Sequence, residues 1–195
     1  MIHEIKRTKG FVLGSFNSRE ADKIFLIFTK DYGLIKVRGI GIRKIESKLR
    51  YNLQNFYAVS LNLVKGREVW RVTHARRVLP VTPILRNRQR FILISNLFRL
   101  ISRLVPESEI NIKLFSHIAE VYKMLLCEPL SISDIKDLEC IVVLRALHSL
   151  GYVGDSKDIS IFVTSALTRP IITSVSLRRG KIISEINRSL EESQL

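Results

Sequence analysis

The chain has 195 residues, of which 46% are hydrophobic and 26% are charged, a composition typical of globular proteins and not of disordered ones. Its formal net charge of +14 lies entirely in residues 1–90, which hold 20 bases and six acids, whereas residues 91–195 hold 12 of each. A module this basic attracts polyanions, because each cation that meets a phosphate releases a condensed counterion. The charge distribution therefore predicts nucleic-acid binding by the N-terminal part.

The sequence shows no targeting or membrane-spanning segment. Residues 1–6 lack the apolar core of a signal peptide, and no apolar run reaches 18 residues. We therefore expect a cytoplasmic protein. Cys127 and Cys140 form neither a Cys-x-x-Cys pair nor part of a His-rich cluster, which predicts buried free thiols.

The first 80 residues have the pattern of β-strands. Five short strands are predicted at 5–16, 24–28, 34–40, 57–64 and 69–78. Gly10 and Gly14 indicate bends or bulges in the first of them, and Lys65-Gly66-Arg67 predicts a hairpin between the last two. Five short strands in this length suggest a small closed or nearly closed barrel.

Helical periodicity replaces the strand pattern after Pro80 and Pro83. Helices are predicted at 91–105, then from a cap at Ser108 through 125, then from a capping box at 131–134 to Gly151, and finally over 182–190. Segments 159–163 and 171–175 are apolar enough to be strands. The predicted fold is thus α+β, a barrel over 1–80 followed by a helical domain over 81–195.

Most of the excess bases fall on one predicted strand, one loop and one hairpin. In a small barrel, a face and its flanking loops commonly bind oligonucleotides, with aromatic side chains stacking on bases between the cations. Tyr51 and Tyr32 are candidates for stacking, although both would equally suit the closure of a barrel end. The predicted DNA-binding residues are Lys36, Arg38, Arg43, Lys44, Lys48, Arg50, Tyr51, Lys65, Arg67, Arg71, Arg76 and Arg77.

No arrangement of residues predicts catalysis. Gly39-Ile40-Gly41 lacks the third glycine and the Gly-Lys-Ser/Thr ending of a phosphate-binding loop. The four histidines (His3, His74, His117 and His148) have no spacing that would gather a metal ion. We expect a protein that is not an enzyme and has no catalytic residue, cofactor or metal.

Several short motifs, in order, resemble the RecO family of bacterial recombination mediators. They are Gly10-Phe11-Val12-Leu13, Glu20-Ala21-Asp22-Lys23, Phe28-Thr29-Lys30-Asp31-Tyr32-Gly33, Val37-Arg38-Gly39-Ile40, Ser47-Lys48-Leu49 and Leu53-Gln54-Asn55-Phe56, with a fainter match over 144–152 ending in Leu150-Gly151-Tyr152. Their order and spacing hold over about residues 5–80 and again near residue 150.

The resemblance implies an OB-fold over 1–80 and a helical domain over 81–195. It also implies binding of single- and double-stranded DNA, ATP-independent strand annealing and recombinase loading with a RecR-type protein and the single-stranded-DNA-binding protein as partners. Many relatives have four zinc-binding cysteines after the Leu-Gly-Tyr motif, where this chain has Val153-Gly154-Asp155-Ser156, so we expect no zinc. The chain is also short for the family, with a trimmed C-terminal domain.

Relatives hold the acidic tail of the single-stranded-DNA-binding protein, which requires an apolar slot flanked by cations. Arg99, Arg103, Lys113 and Lys123 lie on the first two predicted helices at spacings that suit such a slot. The alternative is that these four side chains only solvate the helices.

Two other functions remain open at this stage. The first is an RNA-binding OB-fold protein linked to translation or the ribosome, since charge does not separate RNA from DNA. The second is a transcriptional regulator whose helices after Ser131 form a winged helix. A recognition helix should be rich in bases, whereas residues 138–150 contain only Arg145, which counts against the regulator.

Overall fold

A computed structural model of the protein describes residues 4–67, 69–154 and 159–192. The strands are β1 (Ile5–Asn17), β2 (Lys23–Thr29), β3 (Gly33–Gly39), β4 (Ala58–Lys65) and β5 (Trp70–Arg77). The helices are α1 (Leu49–Asn52), between β3 and β4, and then α2 (Thr82–Arg86), α3 (Arg88–Leu104), α4 (Ile112–Cys127), α5 (Ile132–Ser149), α6 (Ser160–Thr164), α7 (Arg169–Ser174) and α8 (Arg179–Glu192), with a 3₁₀ turn at Val175–Leu177. The predicted fold class, strands followed by helices, is confirmed.

The five strands form a closed barrel in the order β1-β2-β3-β5-β4. All neighbours are antiparallel except β3 and β5, whose parallel pairing joins Val37 to Trp70 and Arg38 to Arg71. Closure through β1 leaves the barrel without a free edge. This strand order and the helix between β3 and β4 are those of an OB-fold barrel.

The interior of the barrel is apolar. Alternate residues of each strand point inward, and those forming the core are Val12, Phe25, Ile27, Ile35, Val37, Val59, Leu61, Leu63, Val72 and Ala75, together with Ile42 and Leu53 from the connection between β3 and β4. All of these side chains are buried. The intervening residues, which include most of the bases, must therefore lie outside.

A bulge interrupts β1 near one of the two glycines that predicted it. The register between β1 and β2 shifts between Val12 and Gly14, so the residues of β1 that follow the bulge exchange faces. Gly10 lies outside the bulge and is required for close packing, because a Cβ at this position would come within 2.7 Å of the Ile27 side chain.

Residues 98–112 belong to the same compact unit as the barrel, which comprises residues 1–82 and 98–112. The ring of Phe98 lies 5.9 Å from the ring of Phe56 and 6.4 Å from that of Phe11. Further along, the amide of Ser108 donates a hydrogen bond to the carbonyl of Leu34 at 2.8 Å. Aromatic packing and this backbone bond attach the segment to the outer side of the barrel.

The second compact unit comprises residues 83–97 and 113–195. Its described residues after 112 form helices α4 to α8, each with an apolar side whose members, such as Leu138 and Ile182, are buried. The division between the units falls inside α3, which contributes to both. The boundary at residue 80, with a barrel domain before it and a helical domain after it, stays a prediction.

The capping box predicted at the start of α5 is confirmed. The Asp134 amide donates to the Ser131 hydroxyl at 3.1 Å, and the Ser131 amide donates to the Asp134 carboxylate at 2.9 Å. These hydrogen bonds lower the pKa of Asp134. After α5, Gly151 adopts a left-handed conformation with φ of 81°, as expected where a helix ends.

One prediction about the helical part is wrong, and two segments that the sequence left open are not strands. Ser108 does not cap a helix: it has a φ of 65° and lies in the segment bound to β3, and α4 begins at Ile112. Segments 159–163 and 171–175 are largely helical, as α6 and as α7 with its 3₁₀ turn. The short helices α1 and α2 were also not anticipated.

Arg145 is a buried cation of α5 and is only 3% exposed. Its guanidinium donates to the carbonyls of Phe162 and Ser165 and to the Glu120 carboxylate, and burial lowers its pKa. The base therefore holds α6 against α5 and cannot contact DNA. Because every strand in the described part of the chain lies within residues 5–77, the second unit also lacks a wing there, which argues against the winged-helix alternative.

His117 and the two cysteines differ in their surroundings. Burial lowers the pKa of His117 to about 4, and Arg145 contributes to this shift. Both thiols are free, as predicted, but Cys127 is exposed and Cys140 only half-buried, so the prediction that both are buried is wrong. Across the described ranges 4–67, 69–154 and 159–192, no group of His, Cys, Asp and Glu side chains is placed to hold a metal ion, and no helix is long and apolar enough to cross a membrane.

Gly33 offers a test of how residues 98–112 hold the barrel. Its φ is +65°, and a Cβ there would lie 2.1 Å from the carbonyl oxygen of Glu109. We expect Gly33→Ala to lower the free energy of unfolding by about 2 kcal/mol or more, because strain and backbone displacement add. Denaturant unfolding measures this change. Gly14→Ala is the matched control, since a Cβ there has no neighbour within 4 Å, and an equal loss in both variants would contradict the docking of Glu109.

Candidate nucleic-acid interface

One row of outward-facing residues crosses the barrel from β1 to β5. Strand register places Phe16 opposite Ile24, Ile24 opposite Arg38, and Arg38 opposite Arg71. Phe16 is 53% exposed. The row therefore combines a bare aromatic ring with two guanidinium groups on the face of strands 2 and 3, the face with which OB-folds bind oligonucleotides.

Arg38 has an unsatisfied donor at the centre of this row. The side chain is half-buried, and its Nε–H lies out of contact with solvent with no hydrogen-bond acceptor among the described residues. A buried donor without a partner costs free energy. An incoming anionic oxygen would satisfy it, so this position is suited to a phosphate.

Lys36 lies on the same outer face, one alternation before Arg38, as predicted. It stands opposite Leu26 on β2 and forms an ion pair with Glu107. Among the predicted binding cations, and within the part of the chain that the structure describes, Lys36 is the one that has a carboxylate partner. Its charge is partly neutralised, which makes it a weaker phosphate contact than its neighbours.

A first cleft, of about 570 Å³, opens beside the C-terminal half of β1. It brings together Arg43 and Arg50 from the predicted basic loop with Lys23, a base that the sequence analysis did not single out. The polar side chains of Asn17 and Gln54 also line it. Cations around a polar cleft open to solvent provide several contacts for a nucleic-acid backbone.

Hydrogen bonds fix the loop that supplies these cations. The amide of Gly41 donates to the Asp22 carboxylate at 2.8 Å, and the amide of Arg43 donates to the carbonyl of Ala21 at 3.0 Å. The Arg43 guanidinium also donates to the carbonyl of Glu20 at 2.8 Å. Asp22 therefore anchors the basic loop to the segment that precedes β2. Lys44 and Lys48, from the same loop, are exposed.

A second cleft, of about 380 Å³, lies where the β4–β5 hairpin meets the end of β3. Four predicted binding residues line it: Arg38, Lys65, Arg67 and Arg71. Trp70 forms part of its wall. The loop between strands 4 and 5 is one that OB-folds use to bind oligonucleotides, and the structure places four cations there.

The aromatic candidates differ in their surroundings. Tyr51, on α1, is 61% exposed and is available to stack on a base. Tyr32 lies 4.9 Å from the ring of Trp70 and packs against the barrel core, so it closes a barrel end. Phe16 was missed, because strict alternation from Val12 points it inward and the β1 bulge reverses its direction.

Arg76 and Arg77 lie apart from these clefts. The guanidinium of Arg77 stands 5.3 Å from the ring centroid of Tyr57, a cation–π contact that holds the side chain near the barrel end. Arg76 is exposed opposite Ser60 on β4. The twelve predicted residues therefore do not form one continuous site.

The four cations suggested for a partner's tail fall in both compact units. Arg99 and Arg103 lie on the part of α3 that belongs to the barrel unit, whereas Lys113 and Lys123 lie on α4 in the other unit. All four are exposed. Arg99 and Arg103 share one side of α3, because residues four apart are neighbours on a helix.

Comparison with known proteins shows what the barrel resembles. The family model described as "Recombination protein O N terminal" matches residues 1–80, the barrel and its basic loops. Residues 1–80 are thus similar to the N-terminal domain of RecO proteins. A "DNA repair protein RecO" from Caldanaerobacter subterraneus is 26% identical over 165 residues, which cover 82% of this chain and 67% of that relative.

Two further relatives with the same name show where the RecO similarity lies. The protein of Alkaliphilus metalliredigens is 26% identical over 179 residues, covering 91% of this chain and 70% of the relative. That of Rubrobacter xylanophilus is 36% identical over 69 residues, covering 35% of this chain and 28% of the relative. The similarity to RecO proteins thus extends over most of the chain.

The basic loop provides a direct test of phosphate contact. We expect Ala at Arg43, Lys44, Lys48 and Arg50 together to weaken single-stranded DNA binding regardless of sequence. The slope of log K against log salt should fall by about 0.7 for each phosphate that the loop no longer neutralises, as measured by fluorescence anisotropy at several salt concentrations. Thermal unfolding serves as the control, because Arg43 also bonds to Glu20. An unchanged slope with reduced affinity would show that these residues act through folding.

Proposed function

We propose that this protein is a DNA repair and recombination mediator, which binds single- and double-stranded DNA without sequence specificity and promotes strand annealing without ATP. The observation that carries the proposal is the outer row of the barrel, where exposed Phe16 on β1 and Arg38 on β3, whose Nε–H is unsatisfied, lie on either side of Ile24. RecO relatives named as DNA repair proteins support the choice of DNA.

Binding combines two physical interactions. Cations of the two clefts, such as Arg50 and Arg67, contact phosphates and release counterions. The exposed rings of Phe16 and Tyr51 stack on bases, and stacking is tolerant of sequence because every base has a π-face. Neither interaction reads base edges, so binding without specificity is the expected result.

Annealing follows from charge neutralisation. Two strands of DNA repel each other until their phosphates are neutralised, and cations of the barrel do this while leaving the base edges free to pair. No nucleotide is needed for such a step, which agrees with the absence of a phosphate-binding loop at Gly39-Ile40-Gly41. In this proposal the protein is not an enzyme and acts as a scaffold on which strands meet.

The proposal includes partners. A mediator works on DNA that a single-stranded-DNA-binding protein already covers, and it then hands that DNA to a recombinase together with a RecR-type protein. A cationic foothold for an acidic tail on the barrel unit would be Arg99 and Arg103, which are exposed on one side of α3. Lys113 and Lys123 are candidates for a separate contribution from α4.

Competition between nucleic acids tests the function. We expect gel shifts in which single-stranded and duplex DNA both compete for the protein, and faster annealing of complementary oligonucleotides in buffer without nucleotide. Phe16→Ala and Arg38→Ala should each weaken single-strand binding, with removal of a stacking ring costing about 1–3 kcal/mol. Lys136→Ala, on the exposed side of α5, is the matched control. Preference for matched RNA with no annealing of DNA would favour the RNA-binding alternative.

A labelled acidic peptide that ends in Phe tests the partner foothold. We expect saturable micromolar binding at low salt, abolished when Arg99→Glu and Arg103→Glu are combined, because charge reversal repels the carboxylates. Lys136→Glu is the control for net charge. Binding that survives the double reversal would remove α3 from the foothold, and no saturable binding of the peptide at low salt would remove this partner.

A further inference from the structure

A second basic face lies on the outer side of β1, β4 and β5, and it is separate from the row that contains Phe16. Register places Arg7 opposite Asn62 and Asn62 opposite His74. One alternation further, Lys9 stands opposite Ser60, and Ser60 opposite Arg76. The bases and His74 are exposed, whereas Asn62 and Ser60 are half-buried between them.

These residues face outward because their chain neighbours fill the barrel. Leu61 and Val59 are core residues of β4, and they pair with Thr8 and Gly10 of β1. On β5, Ala75 points into the core between His74 and Arg76. The face is thus fixed by the barrel itself and needs no loop rearrangement.

The strands of this face contribute only bases to it. From the turn between β2 and β3, the carboxylate of Asp31 accepts a hydrogen bond at 2.6 Å from Thr8, which lies between Arg7 and Lys9 in β1. Strands β1, β4 and β5 contain no Asp or Glu, and no carboxylate in the described part of the chain pairs with Arg7, Lys9 or Arg76. Lys6 does not belong to this face, because it is the chain neighbour of Arg7 and points to the other side of β1. Its hydrogen bond to Glu4 raises its pKa. Repulsion between these unpaired cations raises the free energy of the folded protein, and an anionic ligand relieves that repulsion.

The layout fits the backbone of a duplex better than it fits single strands. Arg7 and Lys9 on β1 stand about 10 Å from Arg76 on β5, with β4 between them. This separation lies between the ~6 Å minor-groove and ~12 Å major-groove widths of B-DNA, so long side chains from both sides can reach phosphates of both strands. The strip between them holds Ser60 and Asn62, and the face has no Phe, Tyr or Trp: its one ring is the imidazole of His74, which is smaller than the phenyl ring of Phe16.

The two faces are far enough apart to be occupied together. Strands β3 and β5 pair only at two positions, through Val37 and Arg38, and diverge beyond them. Arg76 lies five residues along β5 from Arg71, or about 15 Å, and leads away from the Phe16 row. A strand bound at one face leaves the other free.

We propose that the outer face of β1, β4 and β5 is a second nucleic-acid site, which binds the phosphate backbone of duplex DNA through Arg7, Lys9 and Arg76. It rests on the proposed function in one respect, that the natural polyanion is DNA. The Phe16 row then holds a single strand while the second face holds the duplex, so that the protein brings the two together.

The test uses the full chain and three variants. Arg7→Thr, Lys9→Thr and Arg76→Thr combined removes the face while retaining residues that favour strands. Phe16→Ala alters the first face. The matched control for net charge replaces Lys136, Arg178 and Lys181, which are exposed in the second compact unit, by Ser. Affinity for a blunt duplex and for a single strand without secondary structure is measured over a range of salt concentrations.

We expect the triple Thr variant to lose about tenfold or more in duplex affinity and to lower the duplex salt slope by about 0.9 per phosphate, with single-strand affinity changed less than threefold. Phe16→Ala should show the opposite pattern, and the Ser control should change neither. Equal loss on both ligands in the triple Thr variant would overturn a separate duplex site. So would unchanged duplex binding accompanied by abolished binding of poly-glutamate, which would assign the face to an acidic protein segment. A wild-type protein that binds no DNA would refute the proposed function itself and is distinguishable from both of these results.

Discussion

Closure of the barrel is the constraint on which the rest of the structure depends. Hydrogen bonding between β3 and β5, at Val37 and Arg38, completes a cylinder whose interior has room only for apolar side chains. Every base in the five strands must then point outward or lie at a barrel end. Residues 1–82 hold 17 bases and six acids. This excess of 11 positive charges is in this way concentrated on the outer wall and its loops, where it is available to a polyanion at no cost to the core.

The sequence was sufficient to predict the barrel but not how its wall is divided. Alternation in β4 fixes which of its residues are buried, and the predicted strands match the observed ones to within a residue or two. In β5 a register shift opposite Asn62 and Leu63 breaks the alternation, so that Val72 and Ala75, three residues apart, both face the core. The bulge between Val12 and Gly14 reverses which residues of β1 face inward after it. Periodicity alone does not reveal at which residue this reversal occurs. Phe16 was missed for this reason. Arg7 and Lys9 were missed because the row that they share with β5 depends on which strands are neighbours.

The helical unit was predicted less well, and the reasons are local. The capping box at Ser131 and Asp134 has a sequence signature, and it was recognised. Segments 159–163 and 171–175 are short and apolar, and strands and buried helical turns have the same composition at that length. Segment 159–163 is held as a helix by Arg145, whose guanidinium donates to carbonyls at the end of α6. This is a tertiary contact, and no local sequence pattern reveals it.

The two proposed faces change what annealing would require of the protein. A single cationic surface that binds both strands neutralises them, but it also competes with the pairing that it should promote, because the product remains bound as tightly as the reactants. In the proposal, the face with the exposed ring of Phe16 favours unpaired bases more than the face whose one ring is the imidazole of His74. Product duplex would then give up its stacking on Phe16 as it forms and keep its phosphate contacts. This difference between the two faces would favour release of the product from the Phe16 row, which neutralisation alone does not provide.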